Sequence, residues 1–286
     1  MKIDSPGIRA AYLCYDLLWG AVMPLLRMSP RLSDGFAQRR GIDLPPPSPL
    51  WIQAASVGEA YLAREIVKRL EPGAFPLRVL LTANTRQGLD IHRETLRIPA
   101  LASRHIRPSA ACFPFDRPRV MRRVVRRVRP AVAVLLETEI WPGLLRELRL
   151  SGACILILNG RLSPRSLNRY LTWPSFWGRA APHRVLAVSE ADASRFRRLF
   201  GAARVGVMPN IKFDRLGSLP SAADGENRPI ARPAPPGSPF VILGSVRREE
   251  EADAARIIVA LRAEAPAAVI GLFPRHLHRI EAWRGR

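Results

Sequence analysis

Seven short apolar runs, each followed by a longer amphipathic stretch, constrain the fold of this chain more than any other feature. They read WIQAAS (51–56), VLLTAN (79–84), ACFPF (111–115), AVAVLLE (131–137), CILILNG (154–160), RVLAVSE (184–190) and VGVMPN (205–210). Runs this short and this rich in Val, Ile and Leu read as strands, and strands without polar alternation are buried on both faces. Parallel neighbours need a crossover, so the stretches between the runs read as helices covering both sides of a mostly parallel sheet. The expected class is α/β, with one complete doubly wound, Rossmann-like domain over 46–216 behind the PPPSP segment at 45–49.

Beyond it, residues 217–239 are dense in Pro, Ala, Gly and Ser and read as a linker. A second α/β unit starts at FVILGS (240–245), continues through a helix of roughly 249–264 to AVIGLFP (268–274), and ends in a helix from about 276. Two strands cannot bury both faces of a parallel sheet. Residues 240–286 are therefore expected to be an incomplete domain, or else to pack on the first domain or on another protein.

The segment from Ile8 to Met28 is largely apolar but carries Asp16 and Arg27, so it makes a poor membrane span. Tyr12, Tyr15, Trp19, Met23 and Leu26 recur at steps of three or four, which gathers them on one side of a helix. Arg27, Arg31, Arg39 and Arg40 follow. Residues 1–45 are expected to lie on an anionic membrane surface, apolar side down, an ordinary buried helix being the alternative.

With 45 bases against 24 acids the net charge is +21, and lysine stands only at 2, 68 and 212. Arg119, Arg122, Arg123, Arg126 and Arg127 share one helical face, with Val120, Val124 and Val128 turned to the core. No aromatic interleaving accompanies them, so they read as a solvated face and nucleic acid is not an expected partner. There is neither a phosphate-binding P-loop nor a G-x-G-x-x-G fingerprint, which argues against nucleotide hydrolysis and nicotinamide chemistry. Cys14, Cys112 and Cys154 are far apart and His276 and His278 stand two apart, so neither a metal nor a resident cofactor is expected.

In open parallel sheets ligands bind outside the carboxyl ends of the strands. The first run ends at Ser56, Gly58 and Glu59. Ser56-x-x-Glu59 is a helix capping box, or else Glu59 is a general base with Gly58 letting a ligand approach the backbone. The fourth run ends in Glu137, with Glu139, Trp141 and Pro142 beyond it; a carboxylate closing an apolar strand needs a partner. Asn159, Arg161, Asn210 and Lys212 fall at the same edge, and Ser245, Arg275 and His276 follow the strands of the second unit. Hydroxyl, cation and helix N-terminus there suit a phosphate or a carboxylate.

WIQAASVGEA, the ETEIWP turn, NGRLSPRS, SEADASRFRRLFGA and PNIKFD, in this order and separation, resemble the 3-deoxy-D-manno-octulosonic acid (Kdo) transferases of lipopolysaccharide assembly. The resemblance covers residues 8 to 286. It implies the two-domain glycosyltransferase B architecture, an acceptor-binding first domain and a donor-binding second one. It also implies residence at the cytoplasmic face of the inner membrane, and inverting, metal-independent transfer of Kdo from CMP-Kdo to a lipid A precursor. Glu59 falls on the glutamate of the family's SVGE motif, its general base, and Glu137 and Glu139 on the acidic pair of ETELWP. Lys212 falls on the lysine of NLKFD, and Arg275 and His276 on the PRH motif that faces CMP.

The sequence departs from the family at Gln53, where His is usual, at Gly160, where Ala is usual, and at Ser245-Val246-Arg247-Arg248-Glu249, which replaces a Ser-Thr-His-x-Gly-Glu motif. The family's later Gly-rich loop and Gly-Gly-His-Asn motif do not follow, so the donor domain is expected to be cut short and transfer impaired. The alternative is a catalytically silent membrane-surface module that binds an anionic lipid acceptor.

Overall fold

The computed structural model describes residues 6–33, 35–73, 75–213, 238–276 and 279–284. It divides into two compact units, Met1–Leu219 and Pro220–Arg286. The first holds seven strands: β1 Leu50–Ala54, β2 Leu77–Ala83, β3 Ile106–Cys112, β4 Val132–Leu136, β5 Cys154–Gly160, β6 Arg184–Ala187 and β7 Val205–Val207. Six fall on the expected runs; the third lies at 106–112 rather than 111–115, and of the expected run only Ala111 and Cys112 belong to it. The seven form one parallel sheet in the order β3-β2-β1-β4-β5-β6-β7. The chain builds outward from β1 to β3, then returns to place β4 on the other flank of β1. The crevice at the carboxyl ends of β1 and β4 is thus the topological switch point.

Successive residues of each strand point to opposite faces, and in the central strands both faces are largely buried. Trp51, Leu80, Leu135 and Ile155 face a core closed by α1 (Pro6–Arg27), α7 (Pro118–Val128), α8 (Pro142–Ser151), α10 (Pro174–Arg179) and α11 (Glu190–Phe200). Ile52, Leu81, Val134 and Leu136 face the other, closed by α4 (Val57–Lys68), α5 (Arg86–Leu96) and α6 (Pro99–Ser103). Two short helices, α2 (Pro30–Ser33) and α3 (Phe36–Arg39), precede β1, and α9 (Pro164–Tyr170) follows β5. Helices α6 to α10 each open on proline, whose missing N–H would have gone unpaired in a first turn. As expected, Val120, Val124 and Val128 of α7 are buried and its arginines at 119, 122, 123, 126 and 127 are exposed.

The membrane expectation for the first helix had the wrong side. Tyr12 is buried in the domain, and Tyr15, Trp19, Met23 and Leu26 are only half-exposed. Tyr12 Oη donates to Pro142 O at 2.7 Å and Tyr15 Oη to Asp116 Oδ2 at 3.0 Å, while Asp16 is buried against Arg117 and Arg119. The open side of α1 carries Leu13, Leu17, Leu18, Val22 and Leu25, with Met28 just past its end. Arg39 is not a surface cation either; its residue is 5% exposed. No helix among the described residues is long and apolar enough to cross a membrane.

The second unit is one βαβ element: β8 (Phe240–Val246), α12 (Glu251–Glu264) and β9 (Val269–Pro274), with the strands parallel, followed by α13 (Ile280–Arg284). Glu251 is buried and accepts from Arg279 Nε at 2.8 Å and Nη2 at 2.7 Å. Ile242, Val259 and Phe273 are exposed. Ser245 does not follow the strand as expected. It sits inside β8 at a register shift, with φ +62°. Residues 217–237 of the proposed linker, and His278, lie outside the described residues.

Candidate active site

Ser56 caps α4, its Oγ accepting from Glu59 N at 3.3 Å, so the capping reading holds in part. In a capping box the glutamate would answer with a bond from the N–H of the cap residue. Glu59 reaches one residue further: Oε2 accepts from Ala55 N at 2.6 Å and Oε1 from Ser56 Oγ at 3.0 Å. Burial raises the carboxyl to about 7; the Ala55 and Ser56 bonds oppose the shift, and the charges of Glu139 and Glu137 add to it. A Cβ on Gly58 would meet nothing nearer than Ser56 Oγ at 3.9 Å, so packing does not demand glycine there.

Across the switch point, Glu139 is 8% exposed. Its Oε2 accepts from Trp141 Nε1 at 2.7 Å and from Gln53 Nε2 at 2.9 Å. Burial raises this carboxyl too, against those two bonds. Gln53 is fully buried in β1, accepts from Thr82 Oγ1 at 2.5 Å and donates to Asn84 Oδ1 at 2.8 Å. Sequence reading noted Gln53 only as a departure from the family's usual His and gave it no role in the site, although a glutamine inside an otherwise apolar run was an available signal.

Glu137 leaves β4 with φ +53°, a conformation that costs a non-glycine residue about 1–2 kcal/mol. Its carboxylate meets Lys212 Nζ at 2.7 Å, Arg161 Nε at 3.8 Å and Asn159 Nδ2 at 3.5 Å. Asn159, fully buried and also at positive φ, accepts from Ile211 N at 3.0 Å, and Asn210 Oδ1 accepts from Lys212 N at 3.1 Å. These side-chain bonds turn the segment after β7 so that Lys212 and Arg161 stand together beside Glu137. The left-handed backbone at Glu137 is thus held by several partners from β5 and the segment after β7.

Asp116 was also overlooked, although it follows the third run as the others follow theirs. Fully enclosed, it accepts from Gly143 N at 2.8 Å and Leu144 N at 2.7 Å, capping α8 from another segment. Burial pushes its carboxyl up to about 7 against those bonds. Together with Tyr12 and Tyr15 it fixes α1 and the start of α8, and so the turn that carries Glu139.

Glu59, Glu137 and Glu139 thus come close enough for their charges to act on one another, with Ser56 and Gly58 on one flank and Arg161, Asn210 and Lys212 on the other. In the second unit Arg275 Nη1 lies 3.5 Å from Ser245 Oγ, and Arg275 and His276 are exposed.

Residues 9–215 match the family model described as 3-deoxy-D-manno-octulosonic-acid transferase (kdotransferase). The 3-deoxy-D-manno-octulosonic acid transferase of Bordetella pertussis is 32% identical over 250 residues, which are 85% of this chain and 56% of that protein. The corresponding protein of Haemophilus influenzae is 28% identical over 287 residues, 93% of this chain and 62% of its own length. The chain therefore spans between about half and two thirds of these relatives. The solved glycotransferase of kitacinnamycin overlaps loosely, with a TM-score of 0.39 at 12% identity over 80% of this chain and 66% of that one. By the match over 9–215, which contains every strand of the first unit, the chain belongs to the Kdo transferase family.

Proposed function

We propose that this chain supplies the acceptor side of a glycosyltransferase that moves Kdo from CMP-Kdo to a lipid A precursor with inversion. The observation that carries the reading is Glu59: a carboxylate at the switch point, raised to about 7 and fastened only to local donors. A base poised near the working pH takes up a proton most effectively. The acceptor oxygen forms its bond to the anomeric carbon from the face opposite the nucleotide, and its proton passes to Glu59. The bond from that carbon to the phosphate oxygen breaks, its electron pair leaving on CMP. Lys212 and Arg161, aligned by Glu137, suit the Kdo carboxylate; within the second unit, taken by itself, Arg275, His276 and Ser245 suit a phosphate. Glu139, locked by Gln53 and Trp141, keeps a second negative charge beside Glu59 and so sustains its basicity.

The exposed leucines of α1 and the open arginine face of α7 support a peripheral position on the anionic cytoplasmic face of the inner membrane. The experiment follows CMP release and Kdo addition to a lipid A precursor, using this chain and a folded chimera that joins it to the remaining C-terminal part of the B. pertussis relative. Transfer by either supports the reading. A folded chimera that binds CMP-Kdo yet transfers nothing would leave the silent acceptor-binding module in its place.

A further inference from the structure

Behind the carboxylate centre, near the carboxyl end of β2, Thr82 stands in a hydrogen-bond relay that runs to Glu139. Trp51 Nε1 donates to Thr82 Oγ1 at 2.8 Å, and Thr82 Oγ1 donates to Gln53 Oε1 at 2.5 Å. Gln53 Nε2 donates in turn to Glu139 Oε2 at 2.9 Å and to Asn84 Oδ1 at 2.8 Å. Trp51, Thr82 and Gln53 are each no more than 1% exposed. Thr82 is thus out of reach of a substrate, and its hydroxyl acts on the site through Gln53.

The relay has one direction. An indole N–H only donates, so Thr82 Oγ1 spends a lone pair on Trp51 and turns its own hydrogen toward Gln53. That makes the nearer amide atom the oxygen and sends the amide NH2 to Glu139 and Asn84. Turned over, the amide would set its oxygen against Glu139 Oε2 and Asn84 Oδ1, three buried acceptors with no proton among them. Arg39 steadies the Asn84 end, its Nη2 donating to Asn84 O at 2.9 Å. The consequence falls on Glu139. Trp141 and Gln53 both donate to its Oε2, and among the described residues nothing donates to its Oε1. That oxygen is not sealed, so the 8% exposure of Glu139 reaches it. One oxygen tied by two donors lets a largely buried carboxylate keep its charge, and the other oxygen presents that charge to the crevice.

We infer that Thr82 is a positioning residue for the transfer reaction: by fixing the Gln53 amide it keeps Glu139 ionised, with Oε1 facing the crevice beside Glu59. The assignment rests on the reading of Glu59 as the base. Other titratable groups border the pair. Glu137, held by Lys212 and Arg161, adds its charge to that of Glu139 on Glu59. Asp116 and Tyr170 both feel the charge of Glu139, but Asp116 is bound by Gly143, Leu144 and Tyr15, outside the relay. Behind Thr82, His92 Nε2 lies 3.3 Å from Thr82 O, and burial lowers the imidazole to about 4, so it is neutral at working pH.

The test reads both carboxyls directly, by carbon-detected NMR titration of the folded chain labelled in its glutamates, with Glu59→Gln and Glu139→Gln assigning the signals. In Thr82→Val, Glu139 holds its proton to higher pH. Glu59, relieved of that charge, loses its own proton earlier, its midpoint dropping from about 7 by about half a pH unit or more. Thr82→Ser keeps the hydroxyl and both parental midpoints. In a Gln53→Met background Thr82→Val adds no further shift, because its route is already cut. Thr82→Ala serves where Thr82→Val does not fold. In the active chimera the variant without the hydroxyl slows transfer about tenfold or more. Parental midpoints in a folded variant without the hydroxyl overturn the assignment. So do equal shifts in Thr82→Ser, or shifts that persist in the Gln53→Met background, either of which would make Thr82 a packing residue. Moved midpoints without transfer leave the relay standing, and transfer with unmoved midpoints removes the relay alone.

Discussion

Glu59 Oε2 accepts from Ala55 N at 2.6 Å, one residue before the Ser56 cap of its own helix. Each carboxylate oxygen therefore spends one lone pair on a local donor and keeps another for a proton. Fastening the helix and accepting a proton are compatible in this geometry.

The ionised form of Glu59 is penalised by burial, and its folded carboxyl lies near 7 against an ordinary 4.5. A raised acid costs the folded state nothing below its unfolded value and the full penalty above its folded one. Stability of the native protein should then fall between about pH 4.5 and 7 through this group, by on the order of 2 kcal/mol after allowing for solvent near the carboxylate. Glu59→Gln keeps an acceptor for Ala55 N and removes the charge. Urea unfolding at pH 8 should find the variant more stable than the parent, with the gap closing at pH 4.5. A gap that stays constant with pH would mean the carboxyl is unshifted.

Two glycines of the site separate packing from ligand access. A Cβ on Gly143 would lie 2.5 Å from Asp116 O and 2.9 Å from its Oδ1, and main chain cannot give way. Gly143→Ala should cost about 3 kcal/mol or more, measured by chemical denaturation, as overpacking at the start of α8. Gly58→Ala meets open space within a helix, so it should hold or raise stability by up to about 1 kcal/mol. Its transfer rate should nevertheless drop, because the added methyl occupies the approach to Glu59. Unchanged transfer in Gly58→Ala would remove the ligand from that turn.

The two sides of α1 should behave oppositely. Leu17→Gln with Leu25→Gln changes only exposed residues and should weaken flotation with anionic liposomes while leaving the melting temperature nearly unchanged. Tyr12→Ala should lower stability by about 3 kcal/mol or more, because it opens the buried core and strips Pro142 O of its donor. Liposome binding that survives the double leucine change would place the membrane contact elsewhere.

The sheet was legible because most of its strands are apolar runs bounded by polar turns, and the candidate site because glutamates, asparagines and cations stand directly after those runs; β3, IRPSAAC, carries Arg, Pro and Ser inside it and was placed five residues late. The side of α1 was not. Tyr12, Tyr15 and Trp19 alternate with Leu13, Leu17 and Leu18, so apolar residues ring the helix and periodicity does not choose between sides. The choice lies in polar groups: the tyrosine hydroxyls find Pro142 and Asp116, and Asp16 finds two arginines. The roles of Gln53, Asp116 and the buried guanidinium of Arg39 escaped notice for a related reason. Their roles depend on partners 27 to 86 residues away, which no local pattern announces. The left-handed backbone at Glu137 is likewise set by Lys212 and Asn159, not by its neighbours in sequence.

The central claim is that Glu59 is the base, and single-turnover transfer by the active chimera carrying Glu59→Gln tests it most directly. The variant should fold, bind CMP-Kdo as the parent does, and transfer Kdo about 100-fold or more slowly; the parent's rate should rise with pH through about 7. Near-parental transfer by Glu59→Gln, with the same rise through pH 7, would contradict the account and leave Glu59 as nothing more than a helix cap.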